Sequence, residues 1–234
     1  MPNRPLLDQL RAAAPQLSVG LLTADWMSLG SELKLLENAG ARLLHFDVMD
    51  GCFCPMMTLG PPLIKGVKTS LIKDVHLMID EPLSKVESFV AAGADIVTVH
   101  AESTRHVHRL LQMLGKMPNA NDPNRGLVRG LAVNPGTPLE SIEPLLGELE
   151  LILLLAVNPG WGGQQFIPST HTRLARLRQV AGDRVLLGVD GGITRDNIAE
   201  VARMGADIIV TGSAVFDGKT PRENIRSMMD AIRE

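Results

Sequence analysis

Histidine and aspartate lie inside an apolar stretch early in the chain, LLHFDVMDG at residues 43–51. Alternation along a strand places His45 and Asp47 on one face, and Leu44, Phe46 and Val48 on the other. Burying a charge is unfavourable by several kcal/mol unless the charge is paired or bound to a metal. This stretch alone is compatible with an ordinary His–Asp ion pair as well as with a metal site.

Polar residues also stand near the ends of other apolar runs: KDVHLM carries His76 and LLGVDGG carries Asp190. Imidazole and carboxylate together suit a divalent transition metal such as Zn²⁺, Fe²⁺ or Mn²⁺. If these runs meet at one end of a sheet, they form a candidate metal site of His45, Asp47, His76 and Asp190. For His100, at the end of a further run, we expect ordinary strand-end hydrogen bonds; support of the site is the alternative.

Glycine-rich segments follow three successive apolar runs late in the chain: NPGWGGQ at 158–164, DGG at 190–192 and TGSAVF at 211–216. Glycines let backbone N–H groups approach an anion, and a short helix predicted to start near 212–213 would add its dipole. One such segment is an ordinary turn, but three in succession predict a phosphate site.

The elements that must position these residues alternate along the chain. Alternating strands and helices imply parallel pairing, and eight units in 234 residues match a (β/α)8 TIM barrel, with active sites at the C-terminal strand ends. A doubly wound open sheet is the alternative. We predict one domain over 1–234, with an N-terminal helix at 5–13 and a surface loop at 115–126. The predicted strands are 17–22, 42–47, 72–79, 95–100, 127–133, 151–157, 184–190 and 207–211.

A short pattern recurs where predicted helices end, in NAGARLLHFD, AAGADIVTVH and RMGADIIVTG. Glycine in the left-handed conformation commonly closes a helix, so the pattern predicts a C-cap followed by a short loop into the next strand. The recurrence supports one repeated structural unit.

Composition argues against several classes of partner. The net charge is −3, aromatic residues make up 3% and tyrosine is absent, which disfavours nucleic-acid binding. No apolar run reaches the roughly 20 residues that span a bilayer, and the first residues lack the apolar core of a signal peptide. Cys52 and Cys54 are interpreted as reduced thiols. We therefore expect a cytoplasmic protein without a membrane partner.

The segments HFDVMDGCFCP, DVHLMI, VNPGWGGQQFIP, VDGGI and GSAVF resemble, in order and spacing, the signature segments of ribulose-phosphate 3-epimerases. The resemblance extends from Ser18 to about Phe216. It implies a barrel of the ribulose-phosphate-binding type and an isomerase of the pentose phosphate pathway that interconverts D-ribulose 5-phosphate and D-xylulose 5-phosphate. It also suggests a homo-oligomer, a dimer or larger. The cofactor would be one divalent metal per chain, with Zn²⁺ preferred over Fe²⁺ and Mn²⁺.

By position, the resemblance makes His45, Asp47, His76 and Asp190 the metal ligands, and Asp47 and Asp190 the acid/base pair. One carboxylate would remove the proton at C3, beside the C2 carbonyl, and the other would return a proton to the opposite face of a metal-stabilised enediolate. The phosphate would rest on Gly162-Gly163, Gly192 and Gly212-Ser213. For Met49 and Met78, core filling is an equal alternative to substrate contact. The predicted substrate-binding residues are Gly20, Met49, Met78, Gly160, Trp161, Gly162, Gly163, Gly191, Gly192, Gly212 and Ser213.

The chain departs from the family's usual residues near the expected pocket. Gly20 stands where serine is usual, Met56 where asparagine is usual, and Leu155-Ala156 where a Met-Ser pair is frequent. We expect these changes to thin the polar or thioether lining of the pocket and to leave its ligands and acid/base groups intact. The alternatives are an epimerase for another phosphorylated ketose (a tetrulose, a hexulose or an autoinducer-2-related phosphosugar) and a catalytically silent phosphosugar-binding protein.

A lyase of the orotidine-decarboxylase type is another barrel chemistry, and it needs a catalytic lysine among acids inside the barrel. The predicted strands offer only Lys73, at the start of the third strand and therefore at the wrong end. His106 and His108 lie on a predicted outer helix, where residues two apart do not share a face, so we expect both at the surface.

Overall fold

The computed structural model describes residues 5–218 and 220–233, and over these ranges apolar runs form parallel strands. Each strand pairs with its neighbour in the chain, and the last pairs with the first, so the predicted closed barrel is confirmed and an open sheet is excluded. The strands are β1 (Gln16–Gly20), β2 (Leu43–Met49), β3 (Ile72–Met78), β4 (Ile96–His100), β5 (Val128–Val133), β6 (Leu151–Leu155), β7 (Leu186–Asp190) and β8 (Ile208–Thr211).

Helices alternate with the strands, as predicted from the amphipathic segments. After β5 the chain forms a 3-10 helix, Leu139–Glu148, because Pro144 within it cannot donate an α-helical backbone hydrogen bond. No helix in the described chain is long and apolar enough to cross a membrane. The α-helices are α1 (Pro5–Ala12), α2 (Leu29–Ala39), α3 (Pro61–Gly66), α4 (Val86–Ala91), α5 (Val107–Leu114), α6 (Thr170–Ala181), α7 (Ile198–Arg203) and α8 (Pro221–Ala231).

Side-chain alternation divides the strand residues between the barrel interior and the surrounding helices. Outward residues such as Leu44, Phe46 and Val48 belong to the large core between strands and helices. Inward apolar residues fill the N-terminal end, where α1 covers the barrel with Leu6 and Leu10. Above them, buried polar side chains share the interior with an apolar cluster of Ala132, Leu153, Leu155 and Val210, and the candidate site lies there.

Three glycines confirm the recurring helix-end pattern. Gly40, Gly93 and Gly205 have φ angles of 91°, 96° and 90°, in the left-handed region that favours glycine. Each stands shortly before the next strand, so the helix can end and the chain can reverse over a few residues.

Several predicted bounds differ from the structure: β1 ends two residues earlier than predicted, at Gly20, β2 ends two residues later, at Met49, and β7 begins two residues later, at Leu186. The chain near residues 212–213 makes a single turn, closed by the Phe216 amide donating to the Gly212 carbonyl at 2.9 Å. The predicted short helix is wrong here because the chain bends at Gly218, whose φ is 77°. β6 ends at Leu155, two residues earlier than predicted, because the Ala156 carbonyl accepts from Ile167 of the following loop.

The predicted surface loop at 115–126 lies between α5 and β5, at the N-terminal end of the strands. Asn119 and Asn121 donate to the Asp95 carboxylate, each at 3.0 Å, and thereby tie this loop to the start of β4. The loop is therefore at the end of the barrel opposite the candidate site.

Candidate metal centre and substrate cavity

Four predicted metal ligands meet inside the upper end of the barrel. His45 and Asp47 come from β2, His76 from the adjacent β3, and Asp190 from β7 on the far side. One ligand atom from each side chain lies within 4.8 Å of all the others. The two imidazoles are fully buried, whereas the two carboxylates are each 15% exposed, so the carboxylates face the cavity above.

The Asp74 carboxylate supports the imidazole of His45. His45 Nδ1 lies 2.8 Å from Asp74 Oδ2, and the Ser18 hydroxyl donates to the same oxygen, also at 2.8 Å. In its neutral form, a histidine that donates Nδ1–H to a carboxylate can offer the lone pair of Nε2 to a metal, and here Nε2 lies on the side of Asp47. Asp74 is not among the residues predicted from the sequence, although its position two residues before His76 on the same strand places it on the inner face.

His76 is supported through a second histidine. His76 Nε2 lies 2.8 Å from His100 Nε2, and His100 Nδ1 lies 3.2 Å from Glu102 Oε2. Burial lowers the pKa of His100 to about 4, so His100 is neutral near neutral pH. The strand-end hydrogen bonds expected of His100 are thus present, and one of them is to a predicted metal ligand.

Charge in the site favours a cation between the four ligands. Burial alone would lower the pKa of His45, but the carboxylates of Asp74 and Asp47 outweigh burial and raise that pKa well above its ordinary range. Burial alone would raise the pKa of Asp47, but His45 and His76 outweigh burial and hold it well below its usual range. The site therefore draws positive charge toward the two carboxylates.

Two buried nitrogens give the test of whether a metal fits. His45 Nε2 and His76 Nδ1 are buried and have no hydrogen-bond partner. His45 Nε2 is 3.3 Å from Asp47 Oδ1, and His76 Nδ1 is 3.6 Å from Asp47 Oδ1 and 3.5 Å from Asp190 Oδ2. An ion about 2.1 Å from each ligand in a tetrahedron separates neighbouring ligand atoms by about 3.4 Å. The distances and the donor set therefore fit a divalent transition metal, whose identity they leave open.

A cavity of about 340 Å³ lies over the metal ligands at the C-terminal strand ends. Asp47 and Asp190 form part of its floor, and Met49, Met78 and Leu155 form an apolar side. Every predicted substrate-binding residue lines this cavity: Gly20, Met49, Met78, Gly160, Trp161, Gly162, Gly163, Gly191, Gly192, Gly212 and Ser213. Polar residues that sequence analysis did not select also line it, namely Thr23, Asn158, Gln164, Thr194 and Thr211.

The glycine-rich loops bring backbone to the cavity at positions where a side chain would not fit. A Cβ on Gly192 would lie 2.5 Å from the Phe166 backbone nitrogen, and the φ of Gly192 is 67°. A Cβ on Gly212 would lie 2.7 Å from the Gly20 carbonyl oxygen. The loops therefore pack backbone against backbone at the edge of the cavity, and the predicted phosphate site needs backbone at this position.

The departures from the family pattern divide into two groups. Gly20 and Leu155 line the cavity, as expected. The expectation is wrong for Met56 and Ala156: Met56 packs against the Met49, Cys54 and Met78 cluster, and Ala156 is buried in the outer core. A Cβ on Gly20 would lie 3.6 Å from Gly212 Cα and 3.8 Å from Asp47 Oδ2. These are ordinary contact distances, so glycine at position 20 leaves open space beside Asp47.

Other candidates lie away from this site. Lys73 is at the N-terminal end of β3, where its amine donates to the Ile64 carbonyl at 2.6 Å. The prediction that it stands at the wrong end for barrel catalysis is confirmed. His106 and His108 are exposed, also as predicted.

Comparison with known proteins agrees with this site. A sequence model of the ribulose-phosphate 3 epimerase family matches residues 16–216. Ribulose-phosphate 3-epimerase of Bacillus subtilis (strain 168) is 40% identical over 209 residues, which cover 87% of this chain and 92% of that protein. Chloroplastic ribulose-5-phosphate-3-epimerase of Arabidopsis thaliana is 41% identical over 223 residues, which cover 92% of this chain and 76% of that protein.

Solved structures show how widely the fold is shared. The 3-hexulose-6-phosphate synthase of Salmonella typhimurium superposes with a TM-score of 0.68 at 17% identity, covering 93% of this chain and 98% of that chain. At that identity the likeness concerns the fold alone. The fold and site define a (β/α)8 barrel with a candidate transition-metal centre beneath a glycine-lined cavity. The chain belongs to the ribulose-phosphate 3-epimerase family, and so to the isomerases that act on carbohydrates.

Proposed function

We propose that this chain is a metal-dependent ketose-phosphate 3-epimerase that interconverts D-ribulose 5-phosphate and D-xylulose 5-phosphate. The observation that carries the proposal is the placement of Asp47 and Asp190. They come from β2 and β7, on opposite sides of the barrel, and both face the cavity. A substrate lying between them would present one face of its C3 carbon to each carboxylate, which is what inversion at that carbon requires.

His45, Asp47, His76 and Asp190 would hold one divalent ion per chain, with Zn²⁺ preferred and Fe²⁺ or Mn²⁺ as alternatives. When bound, the ion supplies Lewis-acid stabilisation of the negative charge that develops beside C3. The burial of both imidazoles keeps water from competing for their lone pairs.

Asp47 and Asp190 would transfer the protons. The pKa of Asp47 is held below its usual range, so its carboxylate is ionised and able to accept a proton at neutral pH. One carboxylate accepts the C3 proton from one face, and the other, protonated, donates to the opposite face. Each positioned acid/base group contributes about 10²–10⁴-fold to the rate.

The glycine-rich loops would hold the phosphate at the other end of the cavity. Backbone amides near Gly163, Gly192 and Gly212 would donate to its oxygens, and Ser213 lies beside them. Binding a remote phosphate fixes the sugar so that C3 lies between the two carboxylates. Trp161, 45% exposed on the same rim, would partly cover the bound group.

The test is to incubate Asp47→Asn and Asp190→Asn with each epimer in D₂O and to follow C3 by NMR. Both variants should lose net epimerisation by at least about 10²-fold, because the amide cannot act as a base. Each should still exchange deuterium into only one epimer, the one whose proton faces the remaining carboxylate. Metal content is measured in the same samples, and Asp183→Asn, an exposed carboxylate at the opposite end of β7, is the control.

Two results would contradict this mechanism. Near-normal epimerisation by both variants would exclude the pair of carboxylates as acid and base. Equal exchange of both epimers by either variant would mean that one mobile base serves both faces.

The substrate itself is tested with C4 to C6 ketose phosphates and an autoinducer-2-related phosphosugar in the same exchange assay. Gly20 leaves open space beside Asp47, and Leu155 adds an apolar side chain to the cavity wall, so the assay covers several lengths of sugar. Binding without exchange of any sugar would favour a silent phosphosugar-binding protein.

We also propose that the protein is a homo-oligomer, a dimer or larger, as the family resemblance suggests, and that it is cytoplasmic. Sedimentation of the purified protein and fractionation of cells that express it test these two expectations.

A further inference from the structure

A hydrogen-bonded chain runs from the candidate metal ligand His76 to the turn that follows β5. His76 Nε2 meets His100 Nε2 at 2.8 Å, and His100 Nδ1 meets Glu102 Oε2 at 3.2 Å. The other oxygen of Glu102 accepts from the Asn134 amide at 2.9 Å and from the Thr137 hydroxyl. We propose that His100 and Glu102 are positioning residues that force His76 to present an unprotonated Nδ1 to the metal, an inference that rests on the metal centre of the proposed function.

The direction of the protons follows from the two ends of this chain. The Asn134 backbone N–H can only donate, so Glu102 acts there as an acceptor. Glu102 accepts again at its second oxygen, which requires a proton on His100 Nδ1. Neutral His100 then has a lone pair on Nε2, and the proton shared at 2.8 Å must belong to His76 Nε2. Because the proton of a neutral His76 is then held on Nε2, the nitrogen that offers its lone pair to a metal is Nδ1.

Ring geometry agrees with this assignment. The rings of His76 and His100 are inclined at 19° with centroids 4.9 Å apart, close to the separation of two imidazoles that meet edge to edge. Phe53 packs on His100 with ring centroids 4.6 Å apart and limits its rotation. Both histidines are fully buried, so no solvent replaces either partner. His76 Nδ1, buried and without a hydrogen-bond partner, faces Asp47 and Asp190.

The structure indicates a substitution that should reverse the chain of protons. In Glu102→Gln, the Asn134 amide and the Thr137 hydroxyl hold the amide oxygen where Oε1 now lies. The NH₂ group then faces His100 Nδ1 and donates to it. His100 consequently carries its proton on Nε2 and donates to His76, whose own proton moves to Nδ1 and blocks the metal position.

The experiment combines a zinc titration with NMR of histidine nitrogens. Zn²⁺ affinity is measured by chelator competition on metal-free protein, and ¹⁵N-histidine spectra report which nitrogen of His100 is protonated. Wild-type His100 should be protonated on Nδ1. Glu102→Gln should show the proton on Nε2 in the metal-free protein and a loss of zinc affinity of about 10–100-fold. His100→Phe, which keeps a ring against Phe53 but removes the acceptor, should lose affinity to a similar extent.

Glu81→Gln is the matched control, because Glu81 accepts a hydrogen bond from Thr104 at 2.9 Å and has no described contact with a histidine. It should keep both wild-type zinc affinity and the His100 proton on Nδ1. A proton on Nε2 of wild-type His100, or unchanged zinc affinity in both Glu102→Gln and His100→Phe, would overturn the proposal.

Neither measurement uses a sugar, so the two proposals can fail separately. If wild-type His100 carries its proton on Nδ1 and both variants lose zinc affinity, but the wild-type protein exchanges no ketose phosphate, the positioning role stands and the epimerase is refuted. Wild-type protein that epimerises with the His100 proton on Nε2 retains the epimerase and refutes the positioning role.

Discussion

Substitution of Asp74 separates the charge behind His45 from the hydrogen bonds that hold it. His45 Nδ1 and the Ser18 hydroxyl both donate to Asp74 Oδ2, while Asp74 Oδ1 is buried without a partner. In Asp74→Asn the amide oxygen can take the place of Oδ2 and keep both donors satisfied. Its NH₂ group then lies where Oδ1 already lacks a partner, so this variant mainly removes the negative charge.

The expected magnitudes differ between two substitutions. Loss of a supporting carboxylate typically weakens metal binding by about 10–100-fold. We expect Asp74→Asn near the lower limit, about tenfold or 1.4 kcal/mol, with nearly unchanged stability. Asp74→Ala leaves two buried donors without an acceptor, and each unsatisfied donor lowers the free energy of unfolding by about 1–3 kcal/mol. It should therefore lose about 2–6 kcal/mol of stability as well as about 100-fold in zinc affinity.

The assay is zinc affinity by chelator competition together with urea unfolding of the metal-free protein. Asp95→Asn is the matched control, since Asp95 is also a buried carboxylate but holds the loop at the other end of the barrel. It should lower stability and leave zinc affinity unchanged. If Asp74→Asn loses as much affinity and stability as Asp74→Ala, the convergence of both donors on one oxygen does not explain how His45 is held.

Three further predictions concern the metal, the glycine-rich loops and the loop after β2. Chelation should abolish epimerisation, and zinc at 100 times its Kd should restore about 2.7 kcal/mol of stability, a Tm rise of about 5–11 °C. Gly192→Ala should raise KM at least about tenfold, because its Cβ would lie 2.5 Å from the Phe166 backbone nitrogen. Gly30→Ala is the control and should leave KM unchanged, because no atom lies within 4 Å of a Cβ at that position. Asp50 accepts backbone hydrogen bonds from Cys52, Phe53 and Asp80, so Asp50→Ala should lower Tm by about 2–8 °C. Burial opposes the shift, but these hydrogen bonds lower the pKa of Asp50 in the folded protein. The stability that Asp50 contributes is therefore complete above its unfolded pKa of about 3.9, and it is lost as the pH falls through the lower folded pKa. The Tm difference between Asp50→Ala and wild type should therefore shrink in acid, and a constant difference down to strongly acidic pH would contradict this account.

Local periodicity was sufficient to predict the barrel, whereas the predicted lining of its cavity came from the glycine-rich motifs and from the resemblance to the family. Alternation within β2 placed His45 and Asp47 on the inner face, and the glycines at helix ends marked where each strand begins. These features depend on neighbours a few residues away, so the sequence carries them directly. The same rule, applied to β3, would also have found Asp74 beneath His76.

Partners distant in the sequence could not be read in this way. Asp190 reaches the metal ligands only because β8 pairs with β1 and closes the barrel, which brings β7 opposite β2. Glu102 lies between His100 and the turn after β5, where the Asn134 backbone N–H donates to its other carboxylate oxygen. Met56 and Ala156 were expected in the cavity, but packing turned both away from it. Strand closure and side-chain packing are properties of the whole chain, whose register is set by many simultaneous contacts, and only the tertiary structure decides them.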